Sequence, residues 1–165
     1  MKELVLRSAT TADAPRLAEI YNHYILHSTA TFETAPVTDA EMARRVADIS
    51  GSYPYFVGLR EDRIVGYCYA HPWNVRAACK GHSLETTVYV AHEAERHGVG
   101  TALMRHLIDH CRQAGCHALV ANITDRNKPS MRMHEKLGFC LVGHYREVAV
   151  KMGQVLGTMA YELLI

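Results

Sequence analysis

Apolar residues recur along this chain with two periods, two and about 3.6, and the places where one gives way to the other mark out strands and amphipathic helices. Residues 2–8 alternate as a first strand. Thr10-Thr11-Ala12-Asp13 then has the Thr-x-x-acid spacing of a helix cap, and Leu17, Ile20, Tyr21, Tyr24 and Ile25 fall on one core-like face of the helix after it. A polar stretch, 28–36, leads to a second cap at Thr38 and Glu41 and a short helix to about residue 49, ended by Gly51-Ser52-Tyr53-Pro54. Segments 55–59 and 64–70 are β-rich, and Arg60-Glu61-Asp62-Arg63 between them predicts a hairpin. Residues 71–80, with Pro72 and Trp73, read as a loop and 83–91 as a strand. Beyond a glycine-rich run the pattern predicts a helix over 102–113, stopped by Gly115, and a strand over 116–123. Pro129 suits the first turn of a helix that ends at Gly138. Segments 139–151 and 155–165 flank Met152-Gly153-Gln154 and predict a closing hairpin. The order β-α-α-β-β-β-α-β-α-β-β describes an α+β fold, a central mixed and mostly antiparallel sheet with helices on its faces.

Composition narrows the classes. With 165 residues, 48% hydrophobic and 21% charged, the chain suits a single domain over 1–165 with a sizeable core. A formal charge of +1 without a dense Lys/Arg cluster argues against a nucleic-acid binder and for small-molecule or single-peptide chemistry. The N-terminus lacks the pattern of a secretory signal, and no stretch approaches the roughly 20 apolar residues that span a bilayer. A cytoplasmic protein with no membrane partner is expected. Five cysteines, an odd number with no Cys-x-x-Cys, indicate reduced thiols. Among eleven histidines, His23/His27 and His106/His110 have the spacing of a two-ligand helix face, but neither pair carries the internal Glu of a metalloprotease motif, and no metal is expected.

The chemistry gathers at Arg96-His97-Gly98-Val99-Gly100-Thr101, between the Val88-Tyr89-Val90 strand and the long helix. Glycines 98 and 100 leave the backbone without Cβ atoms where a helix begins, so that N–H groups converge on an anion with the helix dipole behind them and Arg96 beside them. The same residues would also make an ordinary turn before a helix. The Walker pattern is excluded, because Gly-Lys-Ser/Thr is absent, and so is the dinucleotide fingerprint, because Leu103 stands where a third glycine belongs. Upstream, alternation puts Glu85, Thr87 and Tyr89 on one face of their strand and Thr86, Val88 and Val90 on the other. The acid therefore belongs to the polar face, where it equally suits a solvated strand end.

Arg-x-x-Gly-x-Gly after a Val-Tyr-Val strand, with Asn127 and Leu137-Gly138-Phe139 downstream, resembles the GNAT superfamily of acetyl-CoA-dependent N-acetyltransferases. Ile20-Tyr21-Asn22-His23-Tyr24-Ile25, Ser28-Thr29-Ala30-Thr31-Phe32, Pro72-Trp73-x-x-Arg76, Glu85-Thr86-Thr87-Val88-Tyr89-Val90 and Met133-His134-Glu135-Lys136-Leu137-Gly138-Phe139 are similar to its phosphinothricin and methionine sulfoximine N-acetyltransferase branch, over nearly the whole chain. The resemblance implies that Arg96, His97, Gly98, Val99, Gly100 and Thr101 grip the pyrophosphate of coenzyme A, that the backbone of Val88, Tyr89 and Val90 pairs with the pantetheine, and that Asn127 and Ser130 bind the same cosubstrate. It implies Glu85 as general base and His134, where many GNAT enzymes place a Tyr, as the acid for the leaving thiolate. Phe32, Trp73, Arg76 and Thr87 would line the acceptor pocket with Glu85, Arg76 meeting a carboxylate through two parallel hydrogen bonds. Taken alone, Asn127 also reads as a helix start, His134 as structural, Arg76 as a surface loop residue and Phe32 as core.

Departures from the branch are local. Asn74 stands where herbicide-resistance members have Lys, Cys79 lies near their Tyr, the loop before Glu85 is one residue longer, and Lys151-Met152-Gly153-Gln154-Val155-Leu156-Gly157 lacks the Trp and Asp of Lys-x-Gly-x-Trp-x-Asp. The expectation is an acetyl-CoA-dependent enzyme acting directly on the α-amine of a small amino acid or analogue, as a homodimer. Acetylation of peptide N-termini or polyamines, and non-catalytic acyl-CoA sensing, are the alternatives.

Overall fold

A computed structural model describes residues 3–165 and shows one seven-stranded sheet in the order β1-β2-β3-β4-β5-β7-β6, with helices on both faces. The strands are β1 (Val5–Ser8), β2 (Tyr55–Arg60), β3 (Arg63–Pro72), β4 (Ser83–Val90), β5 (Ala118–Thr124), β6 (Cys140–Lys151) and β7 (Gln154–Leu164). The helices are α1 (Ala14–His27), α2 (Asp39–Ser50), α3 (Val99–Gln113) and α4 (Lys128–Lys136). Every pairing is antiparallel except β4 with β5. The predicted order of elements holds throughout.

Local chemistry explains the starts of the helices. Asp13 accepts from the Thr10 amide at 2.8 Å and takes both guanidinium arms of Arg7 at 2.8 Å, which ties β1 to the entry of α1 and lowers the Asp13 pKa. Thr38 Oγ1 accepts from the Glu41 amide at 3.1 Å and caps α2. Leu17, Ile20, Tyr21 and Ile25 of α1 are buried, as their spacing predicts, while Tyr24 of the same face stays half-buried. On the opposite face Cys68 Sγ meets the Leu103 carbonyl, so α3 packs against β3 there.

Several predicted boundaries move. The first strand, expected over 2–8, covers Val5–Ser8, and residue 2 lies outside the described residues. The stretch 71–80 is not all loop: β3 continues through Pro72, which pairs with Leu84, and Ala77–Cys79 form a 3-10 turn. A proline at the end of a strand costs no ladder bond that the strand still needs. Helix α3 begins at Val99, not 102, because Gly98 takes a left-handed φ of 77° and lets the helix start inside the glycine run. Strand β5 begins at Ala118, not 116, since the Cys116 amide still closes α3 on the Cys111 carbonyl. The last hairpin turns on two residues, Met152 (φ 51°) and Gly153 (φ 70°), so Gln154, expected in the turn, already pairs with Lys151.

Candidate active site

Strands β4 and β5 pair over only three residues, Ser83↔Ala118, Leu84↔Leu119 and Glu85↔Val120. Beyond that point β4 stays with β3 as far as Val90, whereas β5 follows β7, and the two part. The Thr86 hydroxyl, donating to the Val120 carbonyl at 3.2 Å, sits at the fork. A cleft of about 410 Å³ opens there, lined on one side by Glu85 to Val90 and on the other by Ala121 to Ile123. Unpaired main-chain groups on a strand edge are a template for an extended polar ligand.

One end of the cleft is the start of α3. Arg96 (φ 62°) and Gly98 (φ 77°) both hold left-handed backbone, and the leading amides of the helix, Val99 to Thr101, have no acceptor within it. Oriented N–H groups at the positive end of a fifteen-residue helix form an anion cradle. The two glycines serve differently. A Cβ on Gly98 would meet nothing within 4 Å, so glycine is needed there for its φ. On Gly100 a Cβ would come within 3.1 Å of Met133 Sδ and 3.4 Å of Val90 Cγ2, so glycine there lets α4 and β4 approach. Arg60 braces the loop by donating to the His97 carbonyl at 3.0 Å, and the exposed His97 does not line the cleft.

The second wall is α4. Asn127 Oδ1 accepts from the Ser130 amide at 3.2 Å and starts the helix, which brings Asn127, Ser130, Met133 and His134 to the cleft. His134 is 3% exposed, edge-on to Phe139 at 5.0 Å, with Nδ1 2.9 Å from the Ser130 carbonyl. Because a carbonyl only accepts, Nδ1 carries the proton. Burial lowers the imidazole pKa, so the ring is neutral near pH 7 and Nε2 presents a lone pair.

Glu85 stands at the fork itself, half-buried. The alternation of β4 holds, but the face it shares with Thr87 and Tyr89 is not a solvated one. Tyr89 packs against Tyr21, Tyr24 and Tyr67 at ring separations of 4.9, 5.1 and 5.7 Å, so α1 covers it and its β3 neighbour flanks it. Tyr24, read from periodicity as core, lines the cleft. Its hydroxyl lies 2.6 Å from the Val90 carbonyl and 3.0 Å from Glu95, and burial raises its pKa so that it stays protonated. Asn122, the polar residue in the middle of β5, also reaches the cleft and went unremarked in the sequence. Phe32, Trp73 and Arg76 are not brought to the cleft. Phe32 and Trp73 are 41% and 48% exposed, and Arg76 lies on the outer loop, its amide on Asn74 Oδ1 at 2.9 Å. The rings of His106 and His110 lie edge-on to Phe56, and among the described residues no three His, Cys, Asp or Glu side chains gather as metal ligands.

A strand fork with an anion-accepting helix start at one end and a carboxylate at its vertex can take a long, extended ligand that bears an anionic group. A sequence model of the Acetyltransferase (GNAT) family matches residues 17–139, which contain the cradle, the fork and α4. The chain belongs to the GNAT acetyltransferase family. This acetyltransferase is 38% identical over 148 residues to phosphinothricin N-acetyltransferase of Streptomyces viridochromogenes, covering 90% of this chain and 80% of the relative. It is 33% identical over 152 residues to L-methionine sulfoximine/L-methionine sulfone acetyltransferase of Salmonella typhimurium, covering 92% and 88%. The crystal structure of the GNAT phosphinothricin acetyltransferase of Sinorhizobium meliloti in complex with AcCoA superposes with a TM-score of 0.94 at 34% identity, covering 98% of this chain and 88% of that one. The cosubstrate of this GNAT enzyme is acetyl-CoA. Free amides at the start of α3 and an open β4 edge in the same cleft suit an extended ligand that carries phosphate, as acetyl-CoA does. Among the described residues no helix is long and apolar enough to cross a membrane.

Proposed function

We propose that this acetyltransferase acts on the α-amine of a small amino acid or amino-acid analogue of the methionine sulfoximine, methionine sulfone or phosphinothricin type. The observation that carries this reading is the place of Glu85, at the vertex of the fork and in the same cleft as the amide cradle. In this reading the leading amides of α3 and Arg96 hold the pyrophosphate, and acetyl-CoA supplies the activated acetyl group. Glu85 takes the ammonium proton of the acceptor, directly or through one water, and frees the amine for attack. A main-chain N–H at the β4 edge near Val90 faces the carbonyl oxygen as negative charge develops on it. As the tetrahedral adduct collapses the C–S bond breaks, coenzyme A leaves as its thiolate, and the proton shed by the newly bonded nitrogen passes to that sulfur, directly or through water. Tyr24, holding the Val90 carbonyl, fixes the edge that supplies that group.

His134 takes a different part from the acid that the resemblance implies. Neutral, with Nδ1–H donating to the Ser130 carbonyl, it offers Nε2 as an acceptor and orients groups in the cleft. Direct transfer is favoured because no cysteine lines the cleft and burial pushes the Cys68 thiol well above its usual range. Arg76, which the resemblance implies for the acceptor carboxylate, lies outside the cleft in this structure.

A cytoplasmic homodimer belongs to the same proposal. Five free cysteines suit a reducing compartment. The edge strand β6 exposes Leu141, Val142, Tyr145, Val148 and Val150, an apolar strip that a second copy would cover.

The test is thiol release from acetyl-CoA against the twenty amino acids, methionine sulfoximine, methionine sulfone, phosphinothricin, a polyamine and an alanine-initiated peptide. Turnover is expected for the sulfoximine or sulfone, and Glu85→Gln should lower kcat by about 10²- to 10⁴-fold with little change in acetyl-CoA affinity. Turnover of the peptide or polyamine alone, or full activity in Glu85→Gln, refutes the reading.

A further inference from the structure

Lys151 ends β6 between two exposed residues, Val150 and Met152, yet it is itself only 5% exposed. Its Nζ donates to the Thr31 carbonyl at 2.9 Å and lies 3.5 Å from the Tyr24 carbonyl, joining the C-terminal hairpin to a segment more than a hundred residues earlier. Tyr24 lies in the last turn of α1, at the negative end of the helix dipole, where its carbonyl also takes the Ser28 amide and hydroxyl. A cation suits that position. Burial disfavours the charged ammonium and nearby Glu33 favours it.

The segment held by Lys151 is fixed from its other side too. Glu33 can only accept, so the Tyr21 hydroxyl donates to it at 2.9 Å and the Thr31 hydroxyl donates to Tyr21 at 2.8 Å. Arg45 holds the Glu33 carboxylate at 2.8 and 3.3 Å. Residues 28–33 are therefore clamped between Arg45 on α2 and Lys151 on the hairpin. Ala30 and Tyr24 of this region border the cleft.

We propose that Lys151 is a positioning residue for the acceptor half of the cleft, a strap that sets the 28–33 segment through the Thr31 carbonyl. The functional part of this rests on the amino-acid reading of the acceptor. A residue of similar length without the ammonium would keep the packing but leave the buried Thr31 carbonyl without its donor. Neither the cradle nor α4 touches Lys151, so binding of acetyl-CoA should not depend on it.

Lys151→Met and, separately, Thr31→Val test the strap by steady-state kinetics and by amide hydrogen exchange of residues 28–33 measured without acceptor. Lys151→Met should raise the acceptor KM by about tenfold, the worth of one charge-assisted hydrogen bond, while kcat and the acetyl-CoA KM stay within about twofold. Exchange in 28–33 should quicken by about the same factor. Thr31→Val, which loosens the clamp from the Tyr21 side, should move the same two readings in the same direction. Equal losses for acceptor and acetyl-CoA, or unchanged exchange, overturn the proposal; if Lys151→Met does not fold, Thr31→Val decides it on the same criteria. Should the wild-type enzyme turn over no amino acid, the acceptor reading fails, and the exchange comparison alone upholds or overturns the strap.

Discussion

Gly98→Ala and Gly100→Ala alter two glycines of one short loop, and the structure gives them opposite effects on stability. At Gly98 an added methyl has open space, so the whole penalty is backbone: an L-residue at φ 77° costs about 1–2 kcal/mol. Part of this is offset because alanine narrows the unfolded ensemble, by about 0.4–1 kcal/mol. The net loss is about 1 kcal/mol, or a Tm lower by about 2–4 °C for a chain of this size. Gly100 lies in the first turns of α3 with ordinary helical backbone, where alanine is favoured over glycine by about 0.5–1 kcal/mol. Its new methyl would press on Met133 Sδ at 3.1 Å, a flexible thioether that can yield. Stability should hold or rise slightly. Met133 and Val90 both line the cleft, however, so the displaced side chains narrow it and acetyl-CoA affinity should fall by several-fold. Thermal denaturation of the two variants, with calorimetric titration of coenzyme A, reads both quantities. No Tm loss in Gly98→Ala would show that left-handed backbone is not what requires glycine at 98, and a loss in Gly100→Ala as large as that in Gly98→Ala would show that Met133 does not yield.

Three further outcomes follow from side-chain environments. The folded-state pKa of His134 lies below the unfolded value, so the unfolded chain binds the extra proton first and stability falls as pH drops below about 6.5. Against His134→Gln, urea unfolding between pH 7 and pH 5 should show the wild type losing up to about 1.4 kcal/mol more per pH unit; parallel losses would mean the ring is not buried neutral. Thiol titration with an aromatic disulfide should label exposed Cys140 first and reach Cys68 and Cys111 only in denaturant, burial having pushed the Cys111 thiol up to about 12. Rapid native labelling of all five cysteines would contradict the packing of α3 on β3. Val150→Asp, on the exposed β6 strip, should convert a species of twice the 18.5 kDa chain mass to one of that mass in light scattering, and a monomeric wild type would remove the dimer from the proposal.

What could be read from the sequence was what neighbouring residues settle among themselves. The Thr10/Asp13 and Thr38/Glu41 caps, the apolar face of α1, the proline start of α4 and the glycine cradle each depend on groups three or four positions apart, so their chemistry is visible in a short window. One boundary moved where a partner on another strand took over, Pro72 staying in β3 because Leu84 lies opposite; another moved because a local bond prolongs the end of α3, the Cys116 amide reaching the Cys111 carbonyl. The residues around Glu85 were correctly ordered along β4, but nothing local says that β5 pairs with that strand for three residues and then leaves it. The parting is a contest between neighbours: β3 holds one strand, β7 holds the other, and the unpaired edge between them becomes the cleft. Lys151 shows the same limit most plainly, since a lysine beside a tight turn reads as a solvated surface residue. Only the crossing of the hairpin over the end of α1 buries it against the Thr31 and Tyr24 carbonyls. Sequence determined the elements and the chemical groups they carry, because backbone propensity, capping and periodicity act over a few residues. Tertiary structure alone decided where an edge is left open and which charges are buried, because those depend on contacts between segments far apart in the chain.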